Sequence, residues 1–172
     1  RGITNLSSGK MGFAVAQAAI EAGAHVHLIA GPCNLATPLM STGRILRTNV
    51  TSGQEMYQVV MASSNCDVFF AVAAVADWTI ANRAKQKIKR QEKTGLDLQF
   101  RSNPDILLEM AKIAKRKSKP YCVGFAAETD HLGKHCKEKR VRKGIPMIVG
   151  NIGPTTFGLD TNEILVVDEK GS

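Results

Sequence analysis

The chain has 172 residues, is 44% hydrophobic and carries a formal net charge of +8. That suffices for one α/β domain, residues 1–172, with a core of its own, and no apolar run approaches the ~20 residues of a membrane span. Cys33, Cys66, Cys122 and Cys136 lie far apart with no Cys-x-x-Cys pair, which fits a reduced cytoplasm rather than a disulfide scaffold, and residues 1–10 are polar, unlike a signal peptide.

The first element is a polar, glycine-bearing loop, Asn5-Leu6-Ser7-Ser8-Gly9-Lys10-Met11-Gly12, running into a helix predicted over residues 10–23. Serine hydroxyls, backbone N–H groups and the positive end of a helix dipole would meet there, a seat for phosphate or carboxylate. The same residues also suit a plain helix start with glycine where helix meets sheet. His25-Val26-His27-Leu28-Ile29-Ala30 reads as a buried strand stopped by Gly31-Pro32. A loop over 33–44 and a short strand over 45–50 follow. Thr51-Ser52-Gly53-Gln54-Glu55 resembles a capping box opening a helix to about residue 63.

A second buried strand covers 67–72, and Cys66 and Cys122 read as buried thiols. Asn103 is the expected N-cap of the next helix, with Pro104 in its first position and Asp105 favouring its dipole. Ile106, Leu107, Met110 and Ile113 would face inward. A third strand is expected over 121–125, a basic helix over 132–144, a fourth strand over 147–150 and an antiparallel edge strand over 163–168.

Strand–helix alternation with near-continuous apolar strands means an α/β fold with a mostly parallel sheet, helices on both faces and an antiparallel edge. That architecture is Rossmann-like, and its ligands bind beyond the carboxyl ends of the strands. The residues following the strands are Gly31-Pro32, Ala73-Ala74-Val75-Ala76-Asp77-Trp78, Gly124-Phe125-Ala126-Ala127-Glu128-Thr129 and Asn151. Small residues there let a ligand approach the backbone closely.

Basic residues cluster over 83–93, 112–119 and 134–143, which suits nucleic acid or a phosphorylated small molecule. Aromatics make up only 5% and do not interleave the lysines, which disfavours single-strand stacking. A nicotinamide dinucleotide would ask for an acid after Ala30, where Gly31-Pro32 stands. Asp77 on a rim and Lys87 in a polar stretch suit a nucleoside triphosphate under a lid, although charge runs are usually solvated loops. Lys139 and Lys143 share one helical face and could equally be solvated. His131, His135 and Cys136 lack a metal-site pattern. Trp78 is expected as a packed anchor of the lid.

Arg1-x-Ile3-Thr4-Asn5-x-Ser7-Ser8-Gly9-Lys10-Met11-Gly12, Ala73-Ala74-Val75-Ala76-Asp77-Trp78, Lys87-Ile88-Lys89, Asn103-Pro104-Asp105-Ile106, Gly124-Phe125-Ala126-Ala127-Glu128-Thr129, Lys139-Arg140-x-Arg142-Lys143 and Asn151 occur in that order. The set resembles the phosphopantothenate–cysteine ligases, also called phosphopantothenoylcysteine synthetases. In bacteria these form the C-terminal half of a bifunctional coenzyme A biosynthesis protein. The resemblance implies activation of 4′-phosphopantothenate by CTP with Mg²⁺ to an acyl-cytidylate, then attack by L-cysteine. It assigns Ser7, Gly9 and Gly12 to the triphosphate, and Asp77, Asn103, Pro104, Asp105, Ile106 and Phe125 to the nucleoside. Lys87, Lys139 and Lys143 would hold phosphates, with Asn151 completing the nucleotide site. Asn5 and Lys87 would act at the reacting centre, and Ala73, Ala74 and Asp77 would line the substrate site. Arg1 would reach the neighbouring subunit's substrate phosphate, in a cytoplasmic homodimer with shared sites and no nucleic-acid or membrane partner. The resemblance also places a strand and a Gly-Gly-Thr loop before Arg1, a helix after Ser172, and a decarboxylase domain in the bifunctional form. The rival readings are a nicotinamide-dependent oxidoreductase and a basic nucleic-acid-binding domain.

Overall fold

The computed structural model describes residues 5, 7–39, 44–82, 84, 86, 98–152 and 163–171. Helix α1 (Lys10–Glu21) starts after Gly9, whose φ of 76° lies in the left-handed region open to glycine. Ala16 and Ile20 are its buried residues. Strands β1 (His25–Ala30) and β2 (Arg44–Asn49) pair in parallel, with Ala30 opposite Asn49. In α2 (Gly53–Ala62), the Ser52 side chain accepts from Glu55 N at 3.2 Å, while Glu55 accepts from Thr51 N at 2.7 Å. The expected capping box forms, with its return bond one residue earlier than the cap itself.

The chain continues through β3 (Val68–Ala71), β4 (Trp78–Ile80), β5 (Phe100–Ser102), α3 (Ile106–Lys117), β6 (Tyr121–Glu128), α4 (Leu132–Lys143), β7 (Met147–Ile152) and β8 (Leu165–Val167). One sheet has the order β3-β6-β7-β8, in which β3, β6 and β7 are parallel and β8 is the expected antiparallel edge. β4 and β5 form a short antiparallel pair. Sequence gave no sign of it, because three-residue strands are too short to establish an alternation. Trp78 lies in β4 and is 59% exposed, so it is not the packed anchor expected of it.

Ile29 of β1 packs against the core that holds Met56 and Val60 of α2. Arg47 of β2 lies over the Phe13 ring of α1, 5.1 Å from its centroid. Arg47 pairs with Leu28 and not with Ile29, so strand alternation puts α1 and α2 on opposite faces of this pair. The main core joins α2, α3 and α4 through Met56, Leu107, Met110 and Cys136, against Cys122, Ala126, Ile148 and Val167 of the strands. Two glycines bring those helices close. A methyl group at Gly124 would stand 2.7 Å from Ile145 Cδ1 and 3.0 Å from Leu107 Cδ2, and one at Gly150 would run into Cys136 Sγ. Among the described residues no helix is long and apolar enough to cross a membrane.

Several boundaries differ from expectation. α3 is capped by Asp105, which accepts from Leu108 N at 3.0 Å, so Asn103 is not the N-cap and Pro104 is not the first helical residue. Asn103 is held elsewhere: it donates its backbone N–H to Asp77 O and its amide N–H to Ala76 O, both at 2.8 Å, which ties the residue to the segment 72–77. The next side-chain acceptor, Asp105, takes the cap instead. β6 runs on to Glu128 and β7 to Ile152, so Gly124–Glu128 and Asn151 lie within strands rather than after them. Cys122 is buried as expected, Cys66 only half-buried, and Cys136 is buried as well.

Candidate functional site

β3 ends at Ala71, opposite Gly124, whereas β6 continues to Glu128. Onto this step in the sheet converge the segment 72–77, the start of α3 and one face of α4. The segment 72–77 is tied on several sides. Asn103 holds Ala76 O and Asp77 O, and Asn5 Nδ2 donates to Ala74 O at 3.3 Å. A methyl group at Gly53 would stand 3.0 Å from Val75 Cγ1 and 3.2 Å from Asn103 Nδ2, so the start of α2 abuts the same segment. A methyl group at Gly12 of α1 would stand 3.8 Å from Val72 Cβ, so the start of α1 lies beside this segment. Ala73, Ala74 and Asp77 are exposed on this rim. The turn 7–12 and the segment 72–77 are therefore neighbours.

The turn itself is built mainly from backbone. Gly9 N donates to Ser7 Oγ at 3.4 Å and Lys10 N to Ser8 Oγ at 3.3 Å. No side chain caps α1 and no acid stands in its first turn. The first turn of α1 carries no carboxylate of its own to offset the helix dipole, which favours an incoming anion.

The other side is built from charged side chains. Cys136 of α4 is buried at Gly150, and Lys139 and Lys143 follow on the same face. Lys139 Nζ donates to Phe125 O at 3.2 Å. Lys143 forms an ion pair with Asp105, its side chain 18% exposed against 39% for the carboxylate. Neither lysine is a solvated surface residue. Burial pushes the Asp105 carboxyl up, but the hydrogen bond from Lys143, the Leu108 N–H and the charges of Lys143 and Arg142 outweigh it, and the group sits below its usual range. Asp105 thus caps α3 and anchors α4 at once.

Of the sequence candidates, the structure brings together Asn5, Ala73, Ala74, Asp77 and Asn103, and separately Asp105, Phe125, Lys139 and Lys143. Pro104 and Ile106 flank Asp105, and Ile106 is buried. Asn151 lies opposite Ala127 near the end of β7. Arg1 and Lys87 lie outside the described residues. His135 Nδ1 lies 3.5 Å from Glu128 Oε2, with the His131 ring edge-on at 6.1 Å. Sequence reasoning missed Arg47, which reaches from β2 to the loop beside Gly9. Its only signal was a charged residue in the middle of a short strand.

The sequence profile of the DNA/pantothenate metabolism flavoprotein C-terminal domain matches residues 1–172. The chain belongs to that family. It is 40% identical to the coenzyme A biosynthesis bifunctional protein CoaBC of Haemophilus influenzae over 174 aligned positions, covering 99% of this chain and 42% of the relative. With the protein of the same name from Escherichia coli K12 it shares 42% over 166 positions, 94% of this chain and 39% of the relative. The chain thus spans about two fifths of the length of these relatives. The crystal structure of the C-terminal domain of a CoaBC protein superposes with a TM-score of 0.75 at 32% identity, covering all of this chain and 74% of that one. A Cab2 H337A mutant in complex with phosphopantothenate-cysteine has a TM-score of 0.78 over 99% of this chain and 71% of its own, and at 17% identity it speaks for the fold alone.

Proposed function

We propose that this domain is a CTP-dependent phosphopantothenate–cysteine ligase, joining 4′-phosphopantothenate to L-cysteine through an acyl-cytidylate. The observation that carries the reading is the juxtaposition of an acid-free helix start at Gly9–Gly12 with the segment 72–77, which Asn5 and Asn103 tie in place. CTP enters as its magnesium complex. Ser7, Gly9 and Gly12 receive the triphosphate, and Lys139 and Lys143 approach it from the α4 side. Asp77, Asn103, Pro104, Asp105, Ile106, Phe125 and Asn151 surround the nucleoside, with the exposed Asp77 carboxylate suited to ribose hydroxyls. Ala73 and Ala74 leave room for phosphopantothenate.

The substrate carboxylate attacks the α-phosphorus and expels pyrophosphate. The cysteine amine then attacks the acyl carbon and expels CMP. Both steps need charge neutralised and the reacting atoms held in line. Asn5 supplies an amide at that centre, and Lys87 balances the developing charge. Arg1 contacts the phosphate of a substrate in the neighbouring subunit of a cytoplasmic homodimer. In the full-length protein a decarboxylase domain would consume the product.

The test is pyrophosphate release. Release is expected from CTP, and only weakly from ATP, when 4′-phosphopantothenate is present. No release from any nucleotide would end this reading. A Lys87→Gln protein should bind CTP yet form no product. NADPH should leave the fluorescence of the protein unchanged, against the oxidoreductase reading.

A further inference from the structure

The residue that sequence reasoning overlooked is tied to the loop that packs behind the turn at Gly9. Arg47 Nη1 donates to Leu35 O at 2.7 Å and to Thr37 Oγ1 at 3.3 Å. Its Nε donates to Asn49 Oδ1 at 2.8 Å, and its Nη2 approaches Cys33 Sγ at 3.8 Å. The guanidinium carbon lies over the ring of Phe13, in the first turns of α1, 5.1 Å from its centroid. One side chain therefore joins β2, the loop 33–37 and α1.

That loop in turn defines the environment of Gly9. A methyl group built there would stand 3.6 Å from Leu35 Cδ1 and 3.7 Å from Cys33 Cβ, so Leu35 and Cys33 form the wall behind the turn. Two of the four residues Arg47 grips, Cys33 and Leu35, are thus the ones that pack against Gly9. Most of its donors are committed to protein acceptors, so it is poorly placed to serve as a direct phosphate ligand. Those acceptors are a carbonyl, a hydroxyl, an amide and a thiol, so its charge is not cancelled by the groups it binds.

We infer that Arg47 is a positioning residue: its planar fork fixes the loop 33–37 against Gly9 and so sets the shape of the anion seat at the start of α1. The inference rests on the reading of that seat as the triphosphate site. It depends on the fork and not merely on the charge, because a lysine ammonium cannot hold Leu35 O, Thr37 Oγ1 and Asn49 Oδ1 in one plane.

The experiment compares Arg47→Lys, Arg47→Gln and Thr37→Val in the full-length protein. In both Arg47 variants the KM for CTP should rise about tenfold, the size of effect expected from losing charge-assisted hydrogen bonds. The kcat at saturating CTP and the KM for cysteine should stay within about twofold, because the groups at the acyl centre are untouched. Thr37→Val should raise the CTP KM less, in the same direction. A fall in kcat with unchanged KM would mean only a smaller folded fraction and would overturn the proposal. So would a wild-type KM in Arg47→Lys. Amide exchange reads the clamp without any nucleotide: exchange at residues 7–13 and 33–37 should quicken in Arg47→Lys. Unchanged exchange there overturns the inference even if CTP binds, whereas quickened exchange in a protein that ignores CTP would fault the nucleotide reading and leave the clamp standing.

Discussion

The two sides of the candidate site are made of different materials. Around Gly9 the functional groups are backbone N–H groups and small hydroxyls, and the charged residue behind them, Arg47, is turned to structural use. Around β6 and α4 they are lysine ammonium groups, half-buried and already engaged by Phe125 O and Asp105. A backbone seat is open but weak until a ligand arrives. A seat of paired side chains is strong, but a ligand must compete with the partner it displaces. Damage to the two sides should therefore look different, in stability on one and in ligand affinity on the other.

The largest effect should come from closing the gap between β7 and α4. Gly150→Val puts bulk into the space held by Cys136 and Leu132, and overpacking of this kind should cost about 3 kcal/mol, read as a lower urea midpoint. Lys143→Met comes next. It strands the Asp105 carboxylate in a half-buried place, at a cost of about 2 kcal/mol, between the values for exposed and buried pairs. Adding Asp105→Asn should recover part of that loss, a coupling measurable in a double-mutant cycle. On the opposite side, Gly9→Ala forces a side chain to φ 76°, which should cost about 1 kcal/mol, while weakening CTP binding more than Lys143→Met weakens it per unit of stability lost. Equal ratios of binding loss to stability loss would erase the contrast.

The smallest effect is a pH dependence. The folded Asp105 carboxyl lies below its ordinary range, so its contribution is fully present above that range and disappears as pH falls through the folded value. Unfolding followed through the acid limb should show a shallower decline in Asp105→Asn than in the parent protein. Identical slopes would mean that Lys143 does little for the charged form.

Much of this was legible in sequence, for identifiable reasons. The strands β6 and β7 announce themselves because a parallel strand covered on both faces is apolar throughout, whereas β1 and β3, expected to be buried as well, leave His25, His27, Val68 and Phe70 exposed. The Ser52–Glu55 signal located the start of α2 almost to the residue. Asn103 misled, because Asn and Asp both cap helices and only the fold shows that the Asn103 amide is already used by Ala76 O. Whether Lys139 and Lys143 were solvated or turned inward was equally undecidable. α4 has a single buried residue, Cys136, and so lacks the apolar stripe that normally declares which way a helix faces. Arg47 was illegible because three of its hydrogen-bonding partners lie ten or more residues away along the chain, in a loop without pattern of its own.

The glycines of β6 and β7 carry one more implication. A lysine side chain is a tether of fixed length, and the Lys139 ammonium reaches the backbone of β6 at hydrogen-bonding distance. With bulkier side chains at positions 124 and 150 the helix layer would ride higher, and the same lysine would end short of that carbonyl. The absence of two side chains in the floor thus works as a ruler: it sets how deep a cation delivered from α4 can be placed at the ends of the strands.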